Sequence, residues 1–162
     1  MIRHIINLEV ENHVGVLARI AGLFSARGFN IDSISIGKAD SETAHITLVV
    51  KGDDTIIEQV NKQLNKLIDV IRVVDLSKVD NNFVGRELVL VKVNCPLGKR
   101  VDITQIVNIF GAKVVDISKS SLTLELSGSE SKVAAFLEQV TPFGIKDIAR
   151  TGTIAMLRDF SG

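Results

Sequence analysis

Several things are missing from this chain of 162 residues: it has no Trp, no Tyr, a single Cys, two Pro and no net charge, with 19 Lys and Arg against 19 Asp and Glu. One Cys cannot form an internal disulfide, and a reducing, cytoplasmic setting fits it. The charge balance and the want of aromatic stacking platforms argue against nucleic acid as a partner, and the charge balance argues equally against an anionic membrane. No apolar run approaches the ~18–20 residues that cross a bilayer. The opening MIRHIINLEV runs straight into a strand pattern and offers no signal-peptide cleavage site. Hydrophobic residues still make up 46% of the chain, which suffices for a packed core and excludes a wholly disordered one.

What is there is regular. His4 to Glu11 alternates, with Ile6, Leu8 and Val10 on one side, as a half-buried strand does. Leu17, Ile20, Ala21 and Phe24 recur at helical spacing, and Gly28 supplies the stop. Ile31 to Gly37 reads as a second strand, Lys38 to Glu42 as a polar turn, and Ala44 to Val50 as a third strand. Asp53 or Asp54 is set to cap a helix carrying Ile57, Val60, Leu64 and Leu67 on one face, with Glu58 and Lys62 paired on the wet side. Asp69 to Ser77 makes a fourth strand. The order is βαββαβ.

Then the pattern starts again. Residues 79–86 read as a linker between a first domain, 1–78, and a second, 87–162. The second opens with the strand Glu87 to Asn94 and a helix striped by Ile103, Ile106, Val107 and Phe110, stopped at Gly111. Two strands follow, Ala112 to Ser118 and Leu122 to Ser127. A helix capped by Ser129 or Ser131 comes next, and a last strand lies within Lys146 to Leu157. The fold class is therefore α+β, two tandem βαββαβ ferredoxin-like domains, each with two helices on one face of a four-stranded sheet. Ile31, Val49, Ile71, Val73, Val89 and Val91 put apolar side chains on both faces of strands. The open faces are thus expected to be buried against another subunit or domain, with a homodimer as the expected form.

No catalytic constellation emerges. His4, His13 and His45 lack ligand partners at metal spacing, so no metal site is expected and His13 reads as a loop residue. Cys95 has no nucleophile context, and Gly98-Lys99-Arg100 lacks the full phosphate-loop pattern. The stretch Asn12-His13-Val14-Gly15 before the first helix is more suggestive. A helix N-terminus presents free N–H groups and a positive dipole end to a carboxylate, and a glycine there lets the group come close. Asn30, after the helix, carries an amide that donates and accepts. On the residues alone a plain turn is the favoured account of these features.

Strand–N-x-x-G-V-L–helix at the head of a βαββαβ unit resembles the ACT domain, a module that binds amino acids to regulate metabolic enzymes. The words ENHVGVLARIAGLFSARGFNIDSISIGKAD, EQVNKQLNKLIDVIRVVDLS, RELVLVKV, IVNIFGAKVVDIS, LELSG, AFLEQV and IARTG extend the likeness over nearly the whole chain. Together they resemble the small regulatory subunits of acetohydroxyacid synthase (acetolactate synthase). The resemblance implies a chain with no catalysis and no cofactor of its own. Its partner would be a large catalytic subunit using thiamine diphosphate, Mg and FAD, which it would activate and make sensitive to feedback inhibition by valine. It also implies an effector site where two ACT domains pair. There Asn12 and the N–H groups of Gly15 and Val16 would meet the effector, Asn30 would come from the partner chain, and Leu17 and Ile34 would select a branched side chain. GKADSETAH and His45, after the second strand, depart from the family's usual turn and arginine, and NCPLGKR and Leu122 also diverge. A subunit that activates but responds weakly to valine would fit those departures. The alternative from the same fold is a stand-alone ACT-repeat amino-acid sensor without a catalytic partner.

Overall fold

The computed structural model describes residues 2–79 and 82–158, and the chain divides into two compact units, 1–84 with 153–162 and 85–152. In the first unit β1 (Ile2–Glu11), α1 (Val16–Ala26), β2 (Ile31–Lys38), β3 (Thr43–Gly52), α2 (Asp54–Leu64) and β4 (Val70–Asp75) follow the expected βαββαβ order. Their antiparallel sheet runs β2-β3-β1-β4. In the second unit β5 (Phe83–Asn94), α3 (Arg100–Phe110), β6 (Lys113–Ile117), β7 (Ser121–Gly128), α4 (Glu130–Val140) and β8 (Ile145–Arg150) repeat it, with the sheet order β6-β7-β5-β8. Both are ferredoxin-like, as the sequence pattern implies.

Each core follows from strand alternation meeting a helix stripe. Ile6 stands opposite Leu48 and Leu8 opposite Ile46, so the even positions of β1 and β3 share the helix-covered face. Ile20 and Phe24 of α1 and Ile57, Val60 and Leu64 of α2 close over them, all essentially inaccessible to water. Each such side chain contributes about 1.5–3 kcal/mol on burial. Asp53 does cap α2, its carboxylate accepting from the Ile56 N–H at 2.9 Å. In the second unit Val89, Val91 and Val93 of β5 meet Ile103 and Val107 of α3 and Val133, Phe136 and Val140 of α4. Ser129 caps α4 through the Lys132 N–H.

Three features differ from the sequence pattern. The buried face of α1 is Val16, Ile20 and Phe24, while Leu17 and Ala21, expected on the core stripe, are exposed. The final segment is two strands: β8 ends at Arg150, Gly152 turns the chain at φ 75°, and β9 (Ile154–Leu157) joins the first unit. Residues 153–158 thus cluster with the first unit, and β5, with which β9 pairs, begins inside the stretch expected as linker.

The third difference is how the open sheet face of the first unit is closed. There Ile5, Val49 and Leu76 form a small second core with Phe83, Ala155 and Leu157. Asn7 Nδ2 donates to the Ala155 carbonyl at 2.7 Å and the Ala155 N–H donates to Thr47 Oγ1 at 3.3 Å, which fixes β9 across that face. Ile31 and Val73 pack with the helix-side core, Val89 and Val91 are fully buried, and Ile71 alone of the six flagged positions is exposed. The exposed apolar surface of the first unit lies elsewhere. Ile34 and Ile36 stand opposite Leu48 and Ile46, on the helix side of edge strand β2, yet remain 37% and 52% exposed.

Candidate functional site

The loop between β1 and α1 is built from strong local constraints. Gly15 sits at φ 95°, a conformation that glycine adopts without penalty, and no side chain caps the helix it opens. The first turn of α1 carries no acidic residue. Helix geometry leaves the first-turn N–H groups without intrahelical acceptors, and a helix end of this kind attracts anions. The Asn12 N–H donates to the Glu42 carbonyl at 2.7 Å, tying the loop to the β2–β3 turn, while the Asn12 side chain stays exposed.

Arg19, one turn into the helix, adds charge to this end. The place where a Cβ on Gly15 would stand is 3.8 Å from Arg19 Nη2. Arg19 Nη1 is held by Asp69 Oδ2 at 2.8 Å, and Asp69, just before β4, is buried. The same carboxylate meets His13 Nε2 at 2.9 Å, and Glu11 meets that nitrogen at 3.3 Å. The His13 pKa is raised above its usual 6.5, first by the hydrogen bond of Nδ1 to the Val14 carbonyl and then by the charges of Asp69 and Glu11. Glu11, His13 and Asp69 could each turn one ligand atom to a metal ion. Arg19 and His13 both contact Asp69, so the cluster ties the β1–α1 loop and the helix to the approach to β4.

The expected site residues are only partly gathered. Gly15, Val16 and Leu17 adjoin at the helix end with Asn12 beside them; the Val16 side chain is buried in the core and its N–H lies 3.5 Å from the His13 carbonyl. Leu17 is 42% exposed. Asn30 lies past the other end of α1, its Nδ2 reaching Asp32 at 3.4 Å while Asp32 pairs with Lys51 at 2.7 Å. An 11-residue helix is about 16 Å long at 1.5 Å per residue, so Asn30 and Gly15 of one protomer cannot both grip one small molecule.

The residues set aside as non-catalytic have structural duties. Cys95 is fully buried among the second core's aliphatics. Lys99 pairs with Asp102 at 3.2 Å and Arg100 donates to the Ser118 carbonyl at 2.9 Å, so neither cation of that turn is free to cradle a phosphate.

Comparison with known proteins agrees with this architecture. Residues 6–72 match the family model of the AHAS small subunit-like ACT domain, and residues 86–159 match that of the small subunit of acetolactate synthase. A probable acetolactate synthase small subunit of Archaeoglobus fulgidus is 48% identical over 157 residues, covering 96% of this chain and 97% of the relative. The acetolactate synthase small subunit of Aquifex aeolicus is 46% identical over 161 residues, 98% of this chain and 83% of its own. The crystal structure of the small subunit from Thermotoga maritima superposes with a TM-score of 0.90 at 37% identity, covering 99% of both chains. This chain belongs to the acetolactate synthase small-subunit family.

Within that family frame, sequence reading missed the clamp. His13 reads as a loop residue and Asp69 as a strand opening, and Arg19 carries no signal of its own, because nothing local links them. Their one shared signal is that Asp69 opens a strand whose neighbours are apolar, a poor place for an unpaired carboxylate. None of the described helices is long and apolar enough to cross a membrane.

Proposed function

We propose that this chain is the non-catalytic regulatory subunit of acetolactate synthase in branched-chain amino acid synthesis. In this reading it works in the cytoplasm as a homodimer, activates a large catalytic subunit that carries thiamine diphosphate, Mg and FAD, and conveys feedback inhibition by valine. The observation that carries the reading is the split of the ligand groups between the two ends of α1. Gly15, the first-turn N–H groups and Arg19 would take a carboxylate. Asn30, about a helix length away, can complete the site when a second copy presents it. Strand β2 is a sheet edge, and its exposed Ile34 and Ile36 share the helix side with exposed Leu17. An open edge flanked by aliphatics is a ready pairing surface. Pairing there would bury Leu17 and Ile34 around the effector's branched side chain.

Inhibition then follows from linkage. Valine bound across two copies favours the dimer arrangement that binds it better, and turnover falls only if that arrangement is the less active partner of the large subunit. Gly15→Asp would set a carboxylate against the ligand's own. In the reconstituted complex, valine titration is expected to inhibit with the wild-type chain. With Gly15→Asp or Asn30→Ala, valine at the concentration that halves wild-type activity should have no effect. Unchanged half-inhibition in both variants would remove the site assignment.

A further inference from the structure

On the sheet face away from the helices, three charged or titratable side chains form a row. Glu9 of β1 stands directly opposite His45 of β3 on one side and Arg72 of β4 on the other. Residues so paired share a face, with Cβ atoms about 4.5–5.5 Å apart. Among the described residues none of the three makes an ion pair or a side-chain hydrogen bond. The row borders a concavity of ≈ 190 Å³ whose remaining wall includes Val74, Ala155 and Leu157. Strand β9 forms that wall, held in place through Asn7 and Thr47, so the hollow is built by the fold.

We propose that this concavity is a second binding site, for a free aliphatic α-amino acid. Arg72 offers the fork that takes a carboxylate with two hydrogen bonds, Glu9 accepts from the ammonium, and Val74, Ala155 and Leu157 receive the side chain. The charges select the class. A simple anion would leave Glu9 facing it, a simple cation would face Arg72, and a zwitterion satisfies both. The size agrees: at about 30 Å³ per water the hollow holds roughly six waters. That is well under the ~300–1,000 Å³ of pockets for drug-sized ligands. A nucleotide is too large for it. The site is separate from the Gly15 loop and stands or falls independently of it, although Glu9 is two residues from Glu11, whose carboxylate meets His13.

The test is calorimetric titration of the full-length protein with L-leucine and L-valine. The comparison set is wild type, Gly15→Asp, Arg72→Gln and the double variant, with N-acetyl-leucine and leucinamide as controls. Arg72 is exposed, so its replacement leaves the core intact, and circular dichroism checks this. Saturable leucine binding is expected to persist in Gly15→Asp, to weaken ten-fold or more when Arg72→Gln is added, and to be absent for both blocked analogues. The methyl NMR signals of Ala155 and Leu157 should shift on leucine addition to Gly15→Asp. Binding that vanishes in Gly15→Asp and is unchanged in Arg72→Gln would overturn this site and leave the loop reading standing. Binding that survives Gly15→Asp and vanishes in Arg72→Gln would do the reverse. No binding to wild type, as when Glu9 and Arg72 simply pair with each other in solution, would overturn both.

Discussion

The two units share one order of elements and part company at two places, the entry to the first helix and the face the helices leave open. In the first unit Gly15 opens α1 at φ 95° with no cap and no acidic residue in the first turn. In the second, Pro96 leads into a 3-10 turn at Leu97–Lys99, and the first turn of α3 holds Asp102, paired with Lys99. An aspartate there already answers the helix dipole. One helix start carries neither a capping side chain nor an acidic residue, and the other holds Asp102. The open faces diverge in the same way. Ile5 and Val49 of the first sheet are sealed by β9, whereas in the second sheet Lys92 faces Thr123, Leu90 faces Glu125 and Leu88 faces Ser127. The fold is common to both units, and what differs between them lies in loops and in the cover of one sheet face.

Core truncations give the largest test of that contrast. Phe24→Ala and Phe136→Ala each remove a fully buried ring from one unit's core and should each cost about 3–5 kcal/mol in chemical denaturation. Their effects on ligand should differ. Valine should still raise the melting temperature of Phe136→Ala, while its effect on Phe24→Ala, whose helix carries the loop, should shrink. Equal loss of the valine response in both would mean that the second unit shares the effector site.

The open faces give a smaller effect. Leu157→Asp would put a carboxylate into the small core beneath β9 and should destabilise by about 1–3 kcal/mol, the cost of an unpartnered polar group. Leu90→Asp, on the polar face where Leu90 is already 37% exposed, should stay within about 0.5 kcal/mol. Urea unfolding of both variants measures the difference. Equal costs would show that the second face is covered in solution.

Much of this architecture was legible because its signals are local. The alternation of Ile6, Leu8 and Val10 and the Asp53 cap both operate within a few residues, and both stand where the pattern puts them. The stripe of α1 was legible only in part. Val16, Leu17, Ile20, Ala21 and Phe24 span more than one face, and periodicity alone does not say which side meets the chain's own sheet. Packing chose Val16, Ile20 and Phe24, leaving Leu17 outward. β9 was hidden for a related reason. Ala155 and Leu157 alternate equally well as a continuation of β8, and only the turn at Gly152 redirects them. Of the candidate site, the loop and Gly15 could be read from sequence. The Asp69 clamp could not, because its contacts join β1, α1 and the approach to β4 through space.

That clamp supplies the smallest expected effect, a pH dependence without a counterpart in the second unit. His13 faces Glu11 on its own strand end, Asp69 before β4 and the Val14 carbonyl, with Arg19 of α1 sharing Asp69. Its folded pKa lies above the reference 6.5, so the folded protein binds that proton more tightly than the unfolded chain does. The stabilising contribution is therefore fully present below pH 6.5 and is lost as pH rises through the folded pKa. The melting temperature of wild type minus that of His13→Gln should be larger at pH ~5.5 than at pH ~8.5. The Lys99–Asp102 pair, which holds the matching helix end of the second unit, contains no imidazole. Asp102→Asn should accordingly shift stability by the same small amount at both pH values. A His13→Gln difference equally flat with pH would mean that the imidazole packs against Asp69 without holding the extra proton, and the loop would then be fixed by Arg19 alone.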